Sequence, residues 1–447
     1  MKKLTLLSLF LGFTFAAAAA DTNTPAWLTR PLSLADALNT ALAQNATILK
    51  AKSDLEASHG VVVQTRAVAL PQLVASGQYK DTDPHAIEGY PFGSGVPHQN
   101  WNSGLQIVQS IYEGGKLRAA LKAATATKQQ AIAQYNTSVA DTLLSVRLAY
   151  YDVLLAAQQI TVHEASVKLL QKELDDQQRR FAAGTVPHFN VLRAEVSVAN
   201  ERPNLIRARN QYRIAKNNLA NLLGYNLPRD VWENIPLNLT DGFDDAPWKV
   251  ILPDAIQEAL SRRSELVVLR KQVELQQLNV VNAKSGYKPT VQLFAGYNWY
   301  NAQFTAPVEL NHDIHGWNAG AQLNWNIFDG LLTHGKVLQA DAQFARAKTD
   351  LDDQSRQIEL GVRTAYSDFI EARDVLDSQA KVQEQAEEAL REANARFDAG
   401  TGTQLDVLDA ETSLTQARTT QVQAQHDYAA ARAKLERAIG ADLAPEK

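Results

Sequence analysis

The stretch RFAAGTVPHFNVLRAE at residues 180–195 and the stretch RFDAGTGTQLDVLDAE at residues 396–411 are two versions of one helical turn. They lie 396 − 180 = 216 positions apart, and the same offset relates Gly224 to Gly440. Two copies of about this length occupy nearly all of the 447-residue chain. The sequence therefore predicts a duplicated unit, with copies at 21–240 and 241–447 and no room for a separate catalytic domain.

The first twenty residues are typical of a secretory signal peptide. Lys2 and Lys3 precede an apolar run that ends in five alanines, and the run is shorter than the ~20 residues of a membrane-spanning helix. The chain has no cysteine, so we expect neither disulfides nor a lipidated N-terminal cysteine. Without those two lysines the net charge is −5 − 2 = −7, and no basic stripe indicates nucleic acid as a partner.

Four segments alternate apolar and polar residues as half-buried β-strands do. We predict strands at about 71–80, 102–112, 290–300 and 318–328, separated by loops at about 81–100 and 301–316. Aromatic residues lie near the predicted strand ends: Tyr79, Trp101, Trp299, Trp317 and Trp325. An apolar face with aromatic ends is typical of a transmembrane β-barrel, although a soluble antiparallel sheet on a core shows the same alternation.

Four strands are too few for a barrel, because about eight strands are the smallest number that closes. Open sheet edges are not tolerated in lipid. A membrane location would therefore require several chains to share one barrel, and a trimer would supply twelve strands.

Long helical segments follow each pair of strands. They are predicted at about 116–182 and 336–398, and each would be ~100 Å long at 1.5 Å per residue. A coiled-coil stripe marks the second one: Leu351, Ile358, Val362, Ala365, Phe369, Ala372 and Leu376. Return helices follow at about 187–223, where Pro203 predicts a kink, and at 403–439. Residues 252–283 are predicted to form one helix before the second strand pair, and 225–250 an irregular equatorial band.

The two turn motifs and the order of elements around them resemble the TolC-like outer membrane efflux protein family. The resemblance implies an α+β membrane protein in which a homotrimer forms a 12-stranded transmembrane β-barrel, continuous with a periplasmic α-helical barrel. It implies a passive exit duct in the outer membrane lipid of a Gram-negative bacterium, for efflux or type I secretion. The implied partners are a periplasmic adaptor and an inner-membrane transporter of the RND, ABC or MFS type. No cofactor and no enzymatic activity are implied.

In this family the glycine turns form the periplasmic tip that meets the adaptor. The matching residues here are Arg180, Gly184, Thr185, Asn190, Val191, Leu192, Arg396, Gly400, Thr401, Val407 and Leu408. The acidic constriction of the family matches Asp406 and Asp409, one helical turn apart. Spacing alone favours a solvated face with a helix-dipole role for Asp406, and the motif match favours the constriction. The charged latch of the family falls on Asn190, Gly402 and Phe397, so we expect other contacts to close the pore, or easier opening.

The remaining motifs are weak. His85, His98, His312 and His315 lie in the predicted outer loops, where a metal site is less probable than solvated histidine, and we predict none. No phosphate-binding loop, GxSxG or HExxH motif occurs. Two alternatives to a duct remain, a non-conducting coiled-coil scaffold or adhesin and a periplasmic enzyme. The polar strand face that includes Asn318, Gln322 and Asn324 argues against the scaffold.

Overall fold

The computed structural model describes residues 30–83, 97–225, 235–244, 246–304 and 310–441. The predicted signal peptide and His85 lie outside these ranges, as does the 226–234 part of the equatorial band.

Each half of the described chain contains two short helices, two long strands and a long helical hairpin, together with one two-residue strand. The elements of the first half are β1 (Pro31–Leu32), α1 (Leu34–Gln44), α2 (Ala46–Ala67), β2 (Gln72–Asp81), β3 (Gln99–Glu113), α3 (Lys116–Ala182) and α4 (His188–Leu222). Those of the second half are β4 (Asn238–Leu239), α5 (Leu252–Arg262), α6 (Ser264–Lys284), β5 (Thr290–Phe304), β6 (Leu310–Asn324), α7 (Leu332–Asp398) and α8 (Gln404–Ile439).

The four long strands form one antiparallel sheet in the order β2-β3-β5-β6. Its register places the apolar positions of neighbouring strands side by side: Ala75 pairs with Leu105, Leu105 with Tyr297, and Tyr297 with Trp317. The next row, on the opposite face, joins Asn298 to Gly104 and Gly316. The sheet therefore has one mainly apolar face and one mainly polar face, as the alternation predicts.

Three of the four long strands are longer than the sequence pattern predicts, while β2 has the predicted length. β3, β5 and β6 each contain 15 residues, and β6 runs from Leu310 to Asn324 instead of 318–328. Cross-strand pairing continues to Gln303 and Asn311, so residues predicted as loop belong to the ladder. Trp317 consequently lies within β6 and Trp325 beyond its end, where the Trp325 indole donates to the Tyr287 carbonyl at 3.1 Å.

A β-bulge interrupts the apolar face of β3 near its helical end. The register shifts between Ser110 and Tyr112, so Tyr112 lies opposite Val291. Strict alternation would place Ile111 next in the apolar row, but the bulge inserts one extra residue and gives that place to Tyr112. The Gln109 amide, which breaks the row, donates to the Ala69 carbonyl at 3.2 Å and ties the strand to the end of α2.

The predicted single helix at 252–283 is wrong, because α5 and α6 are separated at Arg263. Arg263 has extended backbone angles (φ −61°, ψ 123°), and its guanidinium contacts Glu265 at 2.6 Å and the Ala438 carbonyl at 3.3 Å. Asn45 makes the corresponding break between α1 and α2, with its side-chain oxygen accepting from Thr47 N at 2.7 Å. Both break residues contact the return helix of their own half, since the Asn45 amide donates to the Leu222 carbonyl at 2.6 Å as Arg263 does to the Ala438 carbonyl.

The helical part is built from two hairpins, α3 with α4 and α7 with α8, that lie side by side. α3 and α7 each have 67 residues, and α3 packs against both its own return helix and α8. We call the contact between α3 and α8 the inter-copy seam. α4 continues through Pro203 as one helix. Within the described ranges, no helix has the length and apolar composition needed to cross a membrane.

Two apolar cores lie at the level of the equatorial band. The first joins Leu32, Tyr150 and Leu219, and the Tyr150 hydroxyl donates to the Leu32 carbonyl at 3.0 Å. The second contains the predicted coiled-coil stripe, in which Ile358, Val362 and Phe369 are buried. A cluster of charges joins them: Arg437 contacts both Asp141, at 2.7 Å, and Glu265, at 2.6 Å. The equator is therefore the best-packed level of the chain.

Candidate functional site

The two hairpin turns are the candidate functional site. Gly184 (φ 74°) and Gly400 (φ 73°) adopt left-handed backbone angles that favour glycine. In each turn a threonine amide closes the helix end, Thr185 N on the Arg180 carbonyl and Thr401 N on the Arg396 carbonyl, both at 3.0 Å. The shared motif RF-x-AGT thus specifies a helix end of defined geometry.

The two return helices start differently. In α8 the Thr403 hydroxyl accepts from Asp406 N at 3.3 Å, and the Asp406 carboxylate accepts from Thr403 N at 2.8 Å, which is a capping box. α4 begins at His188, and its N-cap residue, Pro187, makes no side-chain capping hydrogen bond. The hydrogen bonds from the Thr403 backbone and hydroxyl, with the charge of Arg396, lower the pKa of Asp406. Asp406 and Asp409 are both exposed.

The tips of the two hairpins contact each other through charged and polar groups. Arg180 donates to Asp398 Oδ1 at 3.0 Å, and its guanidinium lies 4.7 Å from the centre of the Phe397 ring. The Gln404 amide donates to the Asn190 carbonyl at 3.1 Å. These contacts involve Phe397 and Asn190, two of the positions where the family's latch is replaced. Asp398 and Gln404 were not predicted as site residues. For Asp398 the sequence contains a signal, because its counterpart in the first repeat is Ala182.

Beneath the turns, the tip residues form two small apolar clusters. Leu408 packs with Leu170, Leu174 and Val191 of the first hairpin, whereas Val407 packs with Leu390 inside the second. The tip residues that remain exposed are Gly184, Thr185, Leu192, Arg396, Gly400 and Thr401, while Arg180 and Asn190 are half-buried.

A buried polar layer lies next to the Leu408 cluster. Among the described residues, one side-chain oxygen each of Gln177, Gln404 and Glu411 is buried without a hydrogen-bond partner. Burial, and then the charge of Glu173, raise the pKa of Glu411 to about 7. Unpartnered polar atoms of this kind are uncommon in protein interiors and point to a functional role. Glu411 was not among the predicted site residues.

The predicted aromatic residues of the sheet divide into three levels. Tyr79 pairs directly with Trp101 near the outer end, Trp299 lies two residues from Tyr297, and Trp317 pairs with Tyr297 in the middle of the sheet. Among the described residues, no group of three or more His, Cys, Asp or Glu side chains is placed to hold a metal ion. His315 instead contacts the Tyr297 hydroxyl at 2.8 Å.

Comparison with known proteins identifies the class to which this fold and this tip belong. The family model "Outer membrane efflux protein" matches the chain twice, at residues 37–225 and 255–441. The chain belongs to this family and is an outer membrane channel protein of efflux and secretion systems, which confirms the resemblance found in the turn motifs.

Individual relatives agree with this assignment. The chain is 25% identical to outer membrane protein TolC of Escherichia coli (strain K12) over 89% of its own length and 80% of the relative's. It is 25% identical to TolC of Vibrio cholerae over 98% and 96% of the two chains. The crystal structure of VceC from Vibrio cholerae has the same fold, with a TM-score of 0.75, 21% identity and coverage of 91% and 96%.

Proposed function

We propose that three copies of this chain form a passive exit duct, in which the strands close a 12-stranded outer membrane barrel and the helices continue it as a periplasmic tunnel. A periplasmic adaptor and an inner-membrane transporter would deliver substrate to the helical tip. One observation carries the proposal above all: a four-stranded sheet with an exposed apolar face and two edge strands, β2 and β6.

The sheet gives the first argument for shared assembly. In lipid every backbone donor and acceptor needs a partner, so β2 and β6 require strands from other copies. Two copies would supply eight strands, whose interior is filled by side chains. Three copies supply twelve and leave room for a channel, lined by the polar face that carries Asn102, Asn298 and Asn318.

The return helices give a second, independent argument. Leu192 and Ile206 of α4 are 47% and 66% exposed, whereas their counterparts 216 positions on, Leu408 and Val422 of α8, are 7% and 9% exposed. The exposed residues continue an apolar stripe along α4 at helical spacing: Phe189, Leu192, Val196, Ala199, Pro203 and Ile206. An apolar stripe of this length is typical of a helix whose partner is missing.

The inter-copy seam identifies that partner. Within the chain, α8 is covered by α3, since Leu408 packs on Leu170 and Leu174. In the repeat, α7 corresponds to α3 and α4 corresponds to α8. The equivalent of the α3–α8 contact is therefore a contact of α4 with α7 of a second chain, in which Leu192 would lie near Leu390 of that chain. A head-to-tail contact of this kind closes into a ring when the rotation between copies allows it. The ring would contain all four hairpin helices of every chain.

The tip would act as the gate of the duct. Three copies would bring Asp406 and Asp409 together as six carboxylates, and the low pKa of Asp406 keeps that group charged in a narrow, cation-favouring lumen. The turn residues around Gly184 and Gly400 would contact the adaptor. The exposed aromatics of the sheet would mark the membrane interface. In the part of the chain that the structure describes, the geometry offers no arrangement that we assign to catalysis, and we propose that the chain is not an enzyme.

Light scattering of the purified protein in detergent, combined with conductance in planar bilayers, tests this function. We expect a trimer that forms cation-selective pores of low conductance. Leu192→Glu is expected to yield monomers, because it places a charge in the proposed contact between α4 of one chain and α7 of the next. Asn200→Glu adds the same charge beside the groove between the two hairpins of one chain and serves as the matched control.

Two outcomes would contradict the proposal. A monomeric wild-type protein, or a Leu192→Glu variant that stays trimeric, would remove the assembly argument. A stable trimer that leaves the bilayer inert would favour the alternative of a non-conducting scaffold.

A further inference from the structure

The inter-copy seam contains two titratable side chains of α8 at different heights. Glu411 lies near the tip, and His426 lies close to the equator. Both face α3, and each is largely covered by neighbouring side chains. They are therefore placed where protonation can change how firmly the two halves of the chain are joined.

Glu411 is the more buried of the two. It is 4% exposed, its Oε2 atom is buried without a hydrogen-bond partner, and Glu173 of α3 adds a like charge nearby. One turn further along, the Thr415 hydroxyl donates to Ser166 Oγ at 3.1 Å across the seam. Only the neutral carboxyl group suits this surrounding, because an ionised carboxylate needs hydrogen-bond donors or an opposite charge.

The other elements around Glu411 do not supply that compensation. A polar groove of about 580 Å³ beside it is shared by α3, α4 and α8 and contains the ionisable groups His163, Glu201 and Arg207. Within the groove, His163 Nδ1 is already paired with Glu201 at 2.7 Å. On the far side of α8, Arg418 is paired with Glu387 of α7 at 3.0 Å. Glu173 is the one charged group among these that acts on the pKa of Glu411.

His426 responds to pH in the same direction for a different reason. Its Nε2 lies 3.0 Å from Asp152 of α3, and its Nδ1 lies 2.9 Å from Asp427 of α8. Burial alone would lower the pKa of His426, but the two carboxylates outweigh burial and raise it. The equatorial band contributes the uncharged Phe243 ring at 6.2 Å, and its Asp244 is engaged by Arg432. The protonated ring thus bridges the two halves of the chain.

We propose that the inter-copy seam is a protonation-dependent joint: mild acid holds α8 against α3 through neutral Glu411 and charged His426, and loss of both protons loosens the contact. If the chain is a duct, as proposed above, the loosened seam allows α8 to move away from α3 and eases opening of the tip.

The two groups act over adjoining ranges of pH. A raised pKa in the folded state means that the stabilising contribution is complete below the pKa of the unfolded state and is lost as pH rises through the folded value. For Glu411 that loss extends from about pH 4.5 to about pH 7. For His426 the loss lies above pH 6.5. The seam therefore weakens steadily from mildly acidic to mildly alkaline conditions.

Hydrogen exchange of α8 peptides in the full-length protein tests the joint. Glu411→Gln keeps the size of the side chain and cannot ionise, and wild type and variant are compared at the same pH so that intrinsic exchange rates cancel. We expect similar rates at pH 4 and wild-type exchange at least about tenfold faster at pH 8, since one unit of pKa corresponds to about tenfold in equilibrium. Glu384→Gln, at an exposed position of α7 whose counterpart Lys168 in α3 is also exposed, is the matched control and is expected to behave as wild type.

Two further variants keep the test decisive if Glu411→Gln fails to fold. Glu173→Gln removes the like charge and is expected to move the pH midpoint of exchange downward. His426→Asn removes the upper part of the pH response. Equal wild-type and Glu411→Gln rates at pH 8, or an equal effect of Glu384→Gln, would overturn the proposal.

Exchange in detergent separates this proposal from the proposed function, because it does not depend on a pore. A pH-dependent seam in a non-conducting protein would leave the joint intact and remove the duct. A conducting trimer whose seam exchanges independently of pH would do the reverse.

Discussion

Arg180 and Asp398 join the tips of the two hairpins, with the guanidinium nitrogen and the carboxylate oxygen 3.0 Å apart. The same guanidinium covers the Phe397 ring. Asp398 is mostly exposed, and an isolated exposed ion pair contributes little to stability. The ion pair matters through its position, because it links the two hairpins at their turns. The family's latch positions, Asn190, Gly402 and Phe397, carry no charge that could make this link.

Loss of this pair is expected to favour an open tip. Asp398→Ala should increase the fraction of time that single channels spend in high-conductance states, and the exchanged pair Arg180→Asp with Asp398→Arg should restore the wild-type fraction. Glu392→Ala is the control. It also removes one acid near the tip, but the partner of Glu392 is Arg396 of the same helix and not a residue of the other hairpin. An equal gain in both alanine variants would show that tip charge matters and the contact does not.

The two faces of the sheet predict opposite tolerance for charge. Leu105 lies on the apolar face, and the next residue, Gln106, lies on the polar face. Leu105→Lys is expected to cost about 2–4 kcal/mol at the middle of a bilayer and to reduce the folded fraction in lipid vesicles, whereas Gln106→Lys should fold normally. Comparable folding yields for the two variants would place the sheet outside the membrane.

Leu408 and Leu192 occupy equivalent positions in the two sequence repeats, but Leu408 is buried within the chain and Leu192 is exposed. Leu408→Ala empties a packed cluster and is expected to lower the free energy of unfolding by about 2–5 kcal/mol. Leu192→Ala should weaken trimer association and change the stability of the separate chain much less. Denaturant unfolding at several protein concentrations distinguishes these effects, because only association depends on concentration. A concentration-dependent loss for Leu408→Ala would contradict the assignment.

Glu265 predicts acid sensitivity at the equator. Burial would raise its pKa, but hydrogen bonds from Arg263 and Arg437 outweigh burial and lower the pKa to about 2. The contribution is complete above about pH 4.5 and is lost as pH falls toward 2, so Glu265→Gln should flatten the acid limb of the unfolding temperature in this range. Glu258→Gln, a half-exposed acid of α5, is the control and should leave that limb unchanged.

The sequence predicts the sheet faces and the helical stripe well, because periodicity reports directly which side chains share a face. It does not predict where strands end. The ladder of β5 and β6 continues to Gln303 and Asn311 through polar residues, since backbone pairing does not require apolar side chains. The break at Arg263 was missed for a related reason. The flanking segments have helical periodicity with no Gly or Pro between Asp254 and Ser285, and the break depends on contacts with Glu265 and Ala438.

The tip shows the same limit for function. The turn motifs locate it, and repeat mismatches point to Asp398 and Asp406. Burial of Glu411 could not be predicted, because its counterpart Glu195 is exposed although both follow the same motif. The difference arises from packing against α3, which depends on how the two halves are arranged in space.

The order of strands has a consequence for the kinetics of assembly. β3 belongs to the first half and β5 to the second, so their pairing is a junction between halves that the chain makes within itself. In the proposed ring, β6 and β2 of neighbouring copies would make the equivalent junction between molecules. Because the two halves are covalently joined, three of the six junctions in the ring form between strands of one chain, at high effective concentration, and only the other three require two chains to meet. Ring closure then becomes a third-order rather than a sixth-order process in chain concentration, a large advantage for a protein that assembles at low abundance.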